Sequence, residues 1–276
     1  MKFIRLTTVA ALSATIFAGG VQVFADEPTE TEKTNEVRKT TTDGQITFTP
    51  GNDDTVVDPG PDGPDVTIPP VVDPDGQNKG PLTIAIVPTM NFGSQIISTT
   101  DENYNMVAER QQLTGTTGDE NKVPYVSMAQ VQDTRGTNEG WELSVSLTEF
   151  QATKETQNAV LKGAKITLLD PALLYSIDDV EQRPETHASG LELLPSEAAV
   201  PVMTAAAQKG AGTSSVVWGD HEAIAKQVAD GADVVENDAI KLFVPGSTAK
   251  DAVTYQSTLT WELTSTPDNS IPDTEV

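Results

Sequence analysis

The chain has 276 residues and no cysteine, with 41 acidic residues, 17 Lys and Arg, two His and a formal net charge of −24 at pH 7. The missing thiol excludes disulfide scaffolds, Cys-ligated zinc or iron–sulfur sites, thiol enzymes and Cys-linked lipoprotein anchors. A negative field of this size repels phosphate backbones and anionic lipid headgroups, so we expect neither nucleic acid nor a bare membrane as a partner.

The first residues have the pattern of a secretory signal peptide. A positive start at Lys2 and Arg5 is followed by a short apolar stretch and by small residues before a predicted cleavage site between Ala25 and Asp26. The apolar stretch is shorter than the roughly 20 residues that a membrane span needs. We therefore predict a signal peptide at residues 1–25 and a secreted mature chain without membrane insertion. Since a wall-sorting motif of the LPxTG type is also missing, we expect any retention at the cell surface to be non-covalent.

The next part of the chain is predicted to be mostly irregular. Residues 26–43 are polar and mixed in charge, which is typical of a flexible N-terminal arm. Residues 46–49 alternate apolar and polar side chains and predict one short strand. Residues 50–80 are rich in Pro, Gly and Asp, so we expect an acidic linker or long loop that buries too little apolar surface to offset its ordering entropy.

Part of this acidic stretch has an alternative interpretation as a calcium loop. Asp73, Asp75 and Asn78 place oxygen-bearing side chains around Gly76. An EF-hand loop also has a third ligand before the glycine and a Glu at its twelfth position, and the sequence has neither. We therefore favour a solvated acidic spacer and predict no metal site.

From Pro81 onward the sequence predicts mainly β-structure. The segments with strand-like patterns are residues 82–87, 123–131, 141–148, 164–169, 240–244 and 255–264. In the clearest of them, the apolar side chains from Trp141 to Leu147 alternate with polar ones and are expected to share one buried face. The same alternation is found around Trp261.

The stretch between residues 178 and 238 differs because it is rich in alanine. Pro201 precedes residues 202–209 and Gly210 follows them, which is the arrangement expected for a short helix. A strand is also expected at residues 214–218. Together the elements predict an all-β fold, mainly an antiparallel sandwich or barrel, with one short helical, Ala-rich insertion.

Two of the predicted strands carry the same short motif, Trp-Glu-Leu, at residues 141–143 and again at residues 261–263. Further blocks accompany them in a fixed order, at residues 46–51, 81–84, 87–88, 91–93, 131–136, 162–164, 241–245 and 255–260. The ordered set resembles the WxL domain of surface proteins of low-GC Gram-positive bacteria. The resemblance covers roughly residues 44–267, with the acidic insert at 50–80 inside it, and leaves residues 268–276 as an acidic tail.

The resemblance implies non-covalent attachment to the cell wall through peptidoglycan or another wall glycan, and retention of the secreted chain at the wall surface. As the alternative, it implies a subunit of a multiprotein surface complex. Such a complex would be held by a membrane-anchored WxL-interacting protein and other proteins of the same locus, and would act in adhesion to host or matrix surfaces.

The motif residues are the candidates for binding, and the sequence leaves two roles open for them. The candidates are Trp141, Glu142, Leu143, Trp261, Glu262 and Leu263. An exposed indole can stack on a sugar ring or seat a partner strand, since Trp offers a large rigid surface with one N–H donor. Alternatively, both Trp belong to the core, because they share a strand face with Leu and Val. In that case the motifs mark two strands that pair or face each other, and the ligand binds elsewhere.

The negative charge also limits how a wall ligand is bound. Teichoic acids usually make the wall anionic, so we expect short-range contacts with glycan or peptide stems rather than long-range attraction. Scattered cations such as Lys154 and Lys250 are candidates for local docking points, and solubilising charge is the simpler explanation for each.

An enzymatic function has little support in the sequence. His187 and His221 are the only imidazoles, and neither belongs to a pair with metal-ligand spacing. Ser214 and Ser215 precede Asp220 closely, but no G-x-S-x-G nucleophile motif is present. A pair of carboxylates in a cleft, as in glycosidases, stays open as an alternative. We predict a binding protein that uses no cofactor and is not an enzyme.

Overall fold

The structure is a computed structural model, and the residues that it describes are 39–40, 44–51, 57–60, 62–71 and 76–265. The chain divides into two units, residues 1–46 and residues 47–276. Of the first unit, only residues 39–40 and 44–46 are described, and none of them lies in a strand or helix. The predicted signal peptide with Ala25 and Asp26, the predicted arm apart from residues 39–40, and the acidic tail lie outside the described residues.

The described part of the second unit is built mainly from strands. In chain order they are β1 (Val66–Thr67), β2 (Leu82–Ile86), β3 (Glu102–Val107), β4 (Glu109–Leu113), β5 (Lys122–Tyr125), β6 (Ser127–Asp133), β7 (Trp141–Leu147), β8 (Gln151–Ala152), β9 (Lys165–Leu168), β10 (Ala172–Tyr175), β11 (Glu185–Thr186), β12 (Leu191–Leu193), β13 (Val200–Ala205), β14 (Gly212–Trp218), β15 (Glu236–Val244), β16 (Tyr255–Gln256) and β17 (Leu259–Thr264). The described helices are α1 (His221–Ala229) and the 3₁₀ turns Asp119–Asn121 and Val180–Gln182.

The strands form three four-stranded sheets in which neighbouring strands are antiparallel. Sheet I has the strand order β10-β14-β6-β2, sheet II the order β11-β13-β7-β17, and sheet III the order β12-β9-β15-β3. A smaller sheet joins β1, β4 and β5, and β8 pairs with β16. The prediction of an all-β, antiparallel fold with one short helix is confirmed.

The main core lies among the three large sheets, because each of them contributes apolar side chains to one buried cluster. Its fully buried members include Trp218 from sheet I, Trp141 from sheet II and Ile240 from sheet III. Sheet I also carries a second cluster, which includes Met128 and Val217 and extends to Tyr125 of β5. Burial on both faces explains why β6 is buried along almost its whole length.

The Pro-rich segment at 50–80 contributes to this second cluster, contrary to the expectation of a solvated spacer. Val57, Val66 and Ile68 are buried in it. The Gln130 side chain donates to the Asp58 carbonyl at 2.6 Å and accepts from the Asp58 amide at 2.9 Å. These contacts offset part of the ordering entropy that the composition makes costly, so the described part of the segment is packed against sheet I and includes the short strand β1.

The calcium-loop alternative involves residues that are only partly described. Asp73 and Asp75 lie outside the described residues. Asn78 uses its side chain to bridge the backbone of Ile84, donating to the carbonyl and accepting from the amide, both at 2.8 Å. Within the described ranges, no group of three or more His, Asp or Glu side chains is arranged to hold a metal ion.

The predicted helix at residues 202–209 is wrong, because residues Val200–Ala205 form strand β13. Three of the six residues are β-branched, and pairing with β7 outweighs the alanine content. Pro201 is exposed at a register shift between the two strands, where a missing backbone N–H is tolerated.

The short helix lies instead at α1, which follows the predicted and confirmed strand around residues 214–218. The Asp220 side chain caps it by accepting from the amides of Glu222 and Ala223 at 2.7 and 3.1 Å. An Asp at this position is a sequence signal for the start of a helix. The Pro and Gly that flank residues 202–209 gave a competing signal, which favoured the wrong segment.

The predicted strand at residues 46–49 is also wrong, since no strand includes these residues. Ile46 is 75% exposed and Phe48 is 85% exposed. The segment 123–131 is divided into β5 and β6 at Val126. Strands β3 and β4 were not predicted, because their largely polar sequences lack a clear alternation.

Candidate functional site

The two Trp-Glu-Leu motifs lie side by side in sheet II. Strands β7 and β17 pair antiparallel, with Trp261 opposite Val145 and Leu263 opposite Leu143. Two segments far apart in sequence therefore form one continuous surface on each side of the sheet. The two motifs were expected to mark strands that pair or face each other, and the pairing of β7 with β17 confirms this.

Trp141 is a core residue. Its side chain is fully buried, and its Nε1–H donates to the Gly210 carbonyl at 2.9 Å. Gly210 has a φ of +77°, and a Cβ there would lie 2.6 Å from Trp141 Nε1, so the contact depends on glycine. Leu143 is buried on the same face. While sheet II is intact, the Trp141 indole is not available for stacking on a ligand.

Trp261 and Leu263 lie on the same inner face but are only half-buried. Both pack against the main core, and β17 is the last strand of its sheet. Because no further described strand covers this edge, the Trp261 indole keeps some contact with solvent. The two motif tryptophans thus have different environments although both belong to a Trp-Glu-Leu triplet.

The motif glutamates lie on the outer face of sheet II. Glu142 is half-buried and Glu262 is exposed. Glu262 is opposite Ser144 and Thr264 is opposite Glu142, so the carboxylates are diagonal neighbours, a relation that typically separates residues by about 7–8 Å. The remaining side chains of β7 and β17 on this face are Ser146 and Thr260, so the face combines carboxylates with hydroxyls.

A groove with a volume of about 1070 Å³ lies beside the start of β17. It is lined by residues 89–97, which have no regular secondary structure, and by residues 251–259, which lead into β17. Aromatic side chains in the lining include Tyr104, Phe150 and Tyr255. None of the six motif residues lines the groove, although β17 contributes Leu259.

The side of the groove formed by residues 251–259 is held by a hydrogen-bond network. Asp251 accepts from the Thr156 hydroxyl, and from the amide and the side chain of Asn158 at 2.8 Å each. These hydrogen bonds lower the pKa of the Asp251 carboxyl, and the bond from Thr156 has the largest effect. The Tyr255 hydroxyl accepts from the Asp251 amide at 3.0 Å and donates to the Asn158 carbonyl at 2.7 Å. The groove is therefore largely preorganised on this side.

Two of the candidate docking cations line the groove, and they differ in availability. Lys250 Nζ donates to the backbone carbonyls of Ser98, Pro245 and Thr248 at 3.1, 3.0 and 3.0 Å, so it holds the surrounding loops together. Lys154 is exposed, and it forms no ion pair with another described residue. Ile96 in the same lining is 91% exposed. The groove thus offers an ammonium group beside apolar surface.

The histidines are engaged in packing. Trp218 Nε1–H donates to His187 Nε2 at 2.9 Å, and His187 Nδ1 lies 2.7 Å from the Ala188 carbonyl, an arrangement that suits a neutral ring protonated on Nδ1. Burial lowers the pKa of His187. The His221 ring packs edge-on against Tyr125, with 4.5 Å between ring centroids. The Ser215 hydroxyl accepts from Gln130 and is hydrogen-bonded to neither histidine in the described part of the chain.

A second cavity, of about 420 Å³, brings carboxylates together near His221. Asp62, Asp220 and Glu222 line it. Asp220 already caps α1, so its carboxylate is engaged with backbone amides.

Comparison with models of protein families matches residues 35–267 to the family described as WxL domain surface cell wall-binding. Comparisons with curated proteins and with solved structures give no match. The matched range includes both Trp-Glu-Leu strands and all three large sheets. Among the described residues, no helix has the length and apolar character required to cross a membrane.

Proposed function

Because the chain belongs to the WxL domain family of cell wall-binding surface proteins, we propose that it is a secreted protein held non-covalently at the wall through peptidoglycan or another wall glycan. The family match over residues 35–267 is the observation that carries this proposal. The predicted signal peptide supports secretion. The family consists of binding domains, which supports a binding function rather than catalysis.

We infer that the ligand binds in the groove beside β17. Its volume of about 1070 Å³ is slightly above the range of ordinary ligand sites, which measure about 300–1,000 Å³. Aromatic rings such as Tyr104 and Tyr255, set among polar groups, suit sugar rings, which have apolar faces and polar edges. The exposed ammonium group of Lys154 suits the carboxylates of peptide stems.

In this proposal the motif residues support the site and do not line it. Trp141 and Leu143 hold β7 in the core, and β7 in turn holds β17, whose Leu259 lines the groove. Glu142 and Glu262 belong to a separate surface on the outer face of sheet II.

Sedimentation with purified peptidoglycan tests the proposed site. Lys154→Glu and Ile96→Asp alter exposed side chains of the groove, so we expect each to lower the bound fraction several-fold without changing the melting temperature. Glu262→Gln, on the outer face of sheet II, is the matched control and should bind as the unaltered chain does.

Two results would contradict the proposal: the first would contradict the location of the site, and the second would contradict attachment to peptidoglycan itself. If the groove variants bind normally and Glu142→Gln with Glu262→Gln does not, the ligand lies on the outer face. If the unaltered chain stays in the supernatant, attachment to peptidoglycan is wrong.

The second candidate function is that of a subunit in a surface complex held by a WxL-interacting protein, acting in adhesion. The carboxylate and hydroxyl face around Glu142 and Glu262 favours it, because the side chains of Thr260, Glu262 and Thr264 on this face are exposed. A pull-down of proteins from the same locus, without peptidoglycan, tests it. Capture that is lost in the Glu142→Gln, Glu262→Gln double variant would support the complex.

A further inference from the structure

Among the described residues, strand β17 forms an open edge of sheet II, and Glu262 is its one charged side chain. Among the described residues it pairs only with β7, and its register is continuous over all six residues. Exposed edges are commonly protected by Pro, Lys or a bulge, since an open row of backbone groups is a template for another strand. β17, with the sequence LTWELT, has none of these.

The register also shows which backbone groups face the open edge. The Thr148 amide donates to the Thr258 carbonyl at 3.0 Å, so these two residues form a hydrogen-bonded pair just before β17. Hydrogen-bonded and non-bonded pairs alternate along an antiparallel ladder. The N–H and C=O groups of Leu259, Trp261 and Leu263 therefore point away from β7.

A second segment, residues 45–49, has a strand pattern but no strand partner within the part of the chain that the structure describes. Residues 45–49 alternate Gln, Thr and Thr with Ile46 and Phe48, and the segment carries no charge. Ile46 and Phe48 are 75% and 85% exposed, and no described residue pairs with this segment as a strand. Because Ile46 and Phe48 are two residues apart, an extended backbone would present both apolar side chains on the same side.

The edge and the segment are complementary in pattern. A strand added to β17 places alternate side chains beside the half-buried Trp261 and beside the exposed Glu262. Ile46 and Phe48, two residues apart, fit the apolar side, while Gln and Thr fit the polar side. Since the segment is uncharged, it adds no repulsion next to Glu262 in a molecule of net charge −24.

We propose that the chain associates with itself by strand addition, in which residues 45–49 of one copy pair with the open edge of β17 in a second copy. Backbone hydrogen bonds to Leu259, Trp261 and Leu263 supply the pairing, and Ile46 and Phe48 cover the exposed part of the Trp261 indole. Like charge opposes the approach of two copies, so association strengthens with added salt.

Sedimentation velocity of the mature chain over a range of concentrations, combined with amide hydrogen exchange, tests this proposal. We expect oligomers whose fraction rises with concentration and with salt, and amides of Leu259, Trp261 and Leu263 that become protected in parallel. Phe48→Asp, which changes an exposed side chain and leaves the fold intact, should weaken association about tenfold or more and abolish the protection. Val180→Asp, at another exposed apolar residue, should change neither.

A chain that stays monomeric at every concentration overturns the proposal. So does association that Phe48→Asp leaves unchanged, or association without protection of the three β17 amides, since either result would place the interface elsewhere.

Discussion

The two tryptophans of the Trp-Glu-Leu motifs differ in what they contribute to the stability of this molecule. Trp141 is fully buried and donates a hydrogen bond to Gly210, whereas Trp261 is half-buried on the last strand of its sheet. The difference depends on strand position alone, because both side chains point to the same face of sheet II.

Truncation of the two indoles should therefore have unequal effects. We expect Trp141→Ala to lower the free energy of unfolding by about 3–5 kcal/mol, and Trp261→Ala by clearly less, since part of its surface is already in water. Trp141→Phe should cost about 1–3 kcal/mol, because the Gly210 carbonyl loses its donor. Denaturant unfolding measures all three values. Equal losses for the two alanine variants would contradict the assigned environments.

The phenylalanine variants also separate stability from binding. If Trp141→Phe and Trp261→Phe keep cooperative unfolding and still sediment with purified peptidoglycan, direct stacking of these indoles on the ligand is wrong. If the folded Trp261→Phe variant alone loses binding, the accessible part of that indole belongs to the ligand site.

His187 makes stability depend on pH. Burial lowers its pKa in the folded protein, and protonation at Nε2 would oppose the Trp218 Nε1–H donor. The unfolded chain binds the proton more readily, with a pKa of about 6.5. The stabilisation is therefore complete above about pH 6.5 and is lost as the pH falls from there towards the lower pKa of the folded state.

The variant His187→Gln isolates this contribution, because glutamine can accept from Trp218 but does not titrate. We expect its free energy of unfolding to fall less between about pH 7 and pH 5 than that of the unaltered chain. Burial also lowers the pKa of His221, which reduces stability at acid pH in both proteins alike. Burial raises the pKa of Glu109, which favours the folded state at acid pH in both proteins. Identical pH profiles for the two proteins would contradict the assignment.

At the scale of elements, an ion pair fixes the connection between β6 and β7. Arg135 donates to Asp133 through Nε at 2.9 Å and Nη2 at 2.7 Å, and Nη2 also donates to the Gly140 carbonyl at 2.8 Å. The side chains are 11% and 3% exposed. The pair thus holds the residue that directly precedes the first Trp-Glu-Leu motif.

Removing one partner of this pair should be much more harmful than removing both. We expect Arg135→Met to cost about 3–5 kcal/mol, because it leaves the buried Asp133 carboxylate with the backbone amide of residue 135 but without its countercharge. The double variant Asp133→Leu, Arg135→Met should recover most of that loss. Thermal and denaturant unfolding provide the measurement, and a double variant no more stable than Arg135→Met would refute the explanation.

At the scale of the whole molecule, the net charge of −24 determines how wall binding responds to salt. The wall is usually anionic as well, so screening reduces repulsion, while short-range contacts of the kind proposed for the groove are little affected by salt. We expect binding to purified walls to stay constant or to strengthen between low and physiological salt. A steep loss over that range in a sedimentation assay would show that electrostatic attraction drives attachment.

The elements that could be predicted are those whose pattern is local. β7 and β17 were recognised because alternation with period two directly reports one buried face. β13 was mistaken for a helix because Pro201 and Gly210 have the spacing of helix boundaries, while its pairing with β7 is not visible locally. The shape of the groove could not be predicted, since residues 89–97 and 251–259 meet only in the folded chain. Its faint signal was the block at residues 91–93.

The sequence by itself determined the family, the all-β class and the acidic character, because all three depend on composition, motif order and alternation along the chain. Only the tertiary structure decided that one motif tryptophan is buried and the other half-exposed, that both glutamates share the outer face, and that β17 ends its sheet. Strand order and register control these outcomes, and they arise from contacts between residues far apart in sequence.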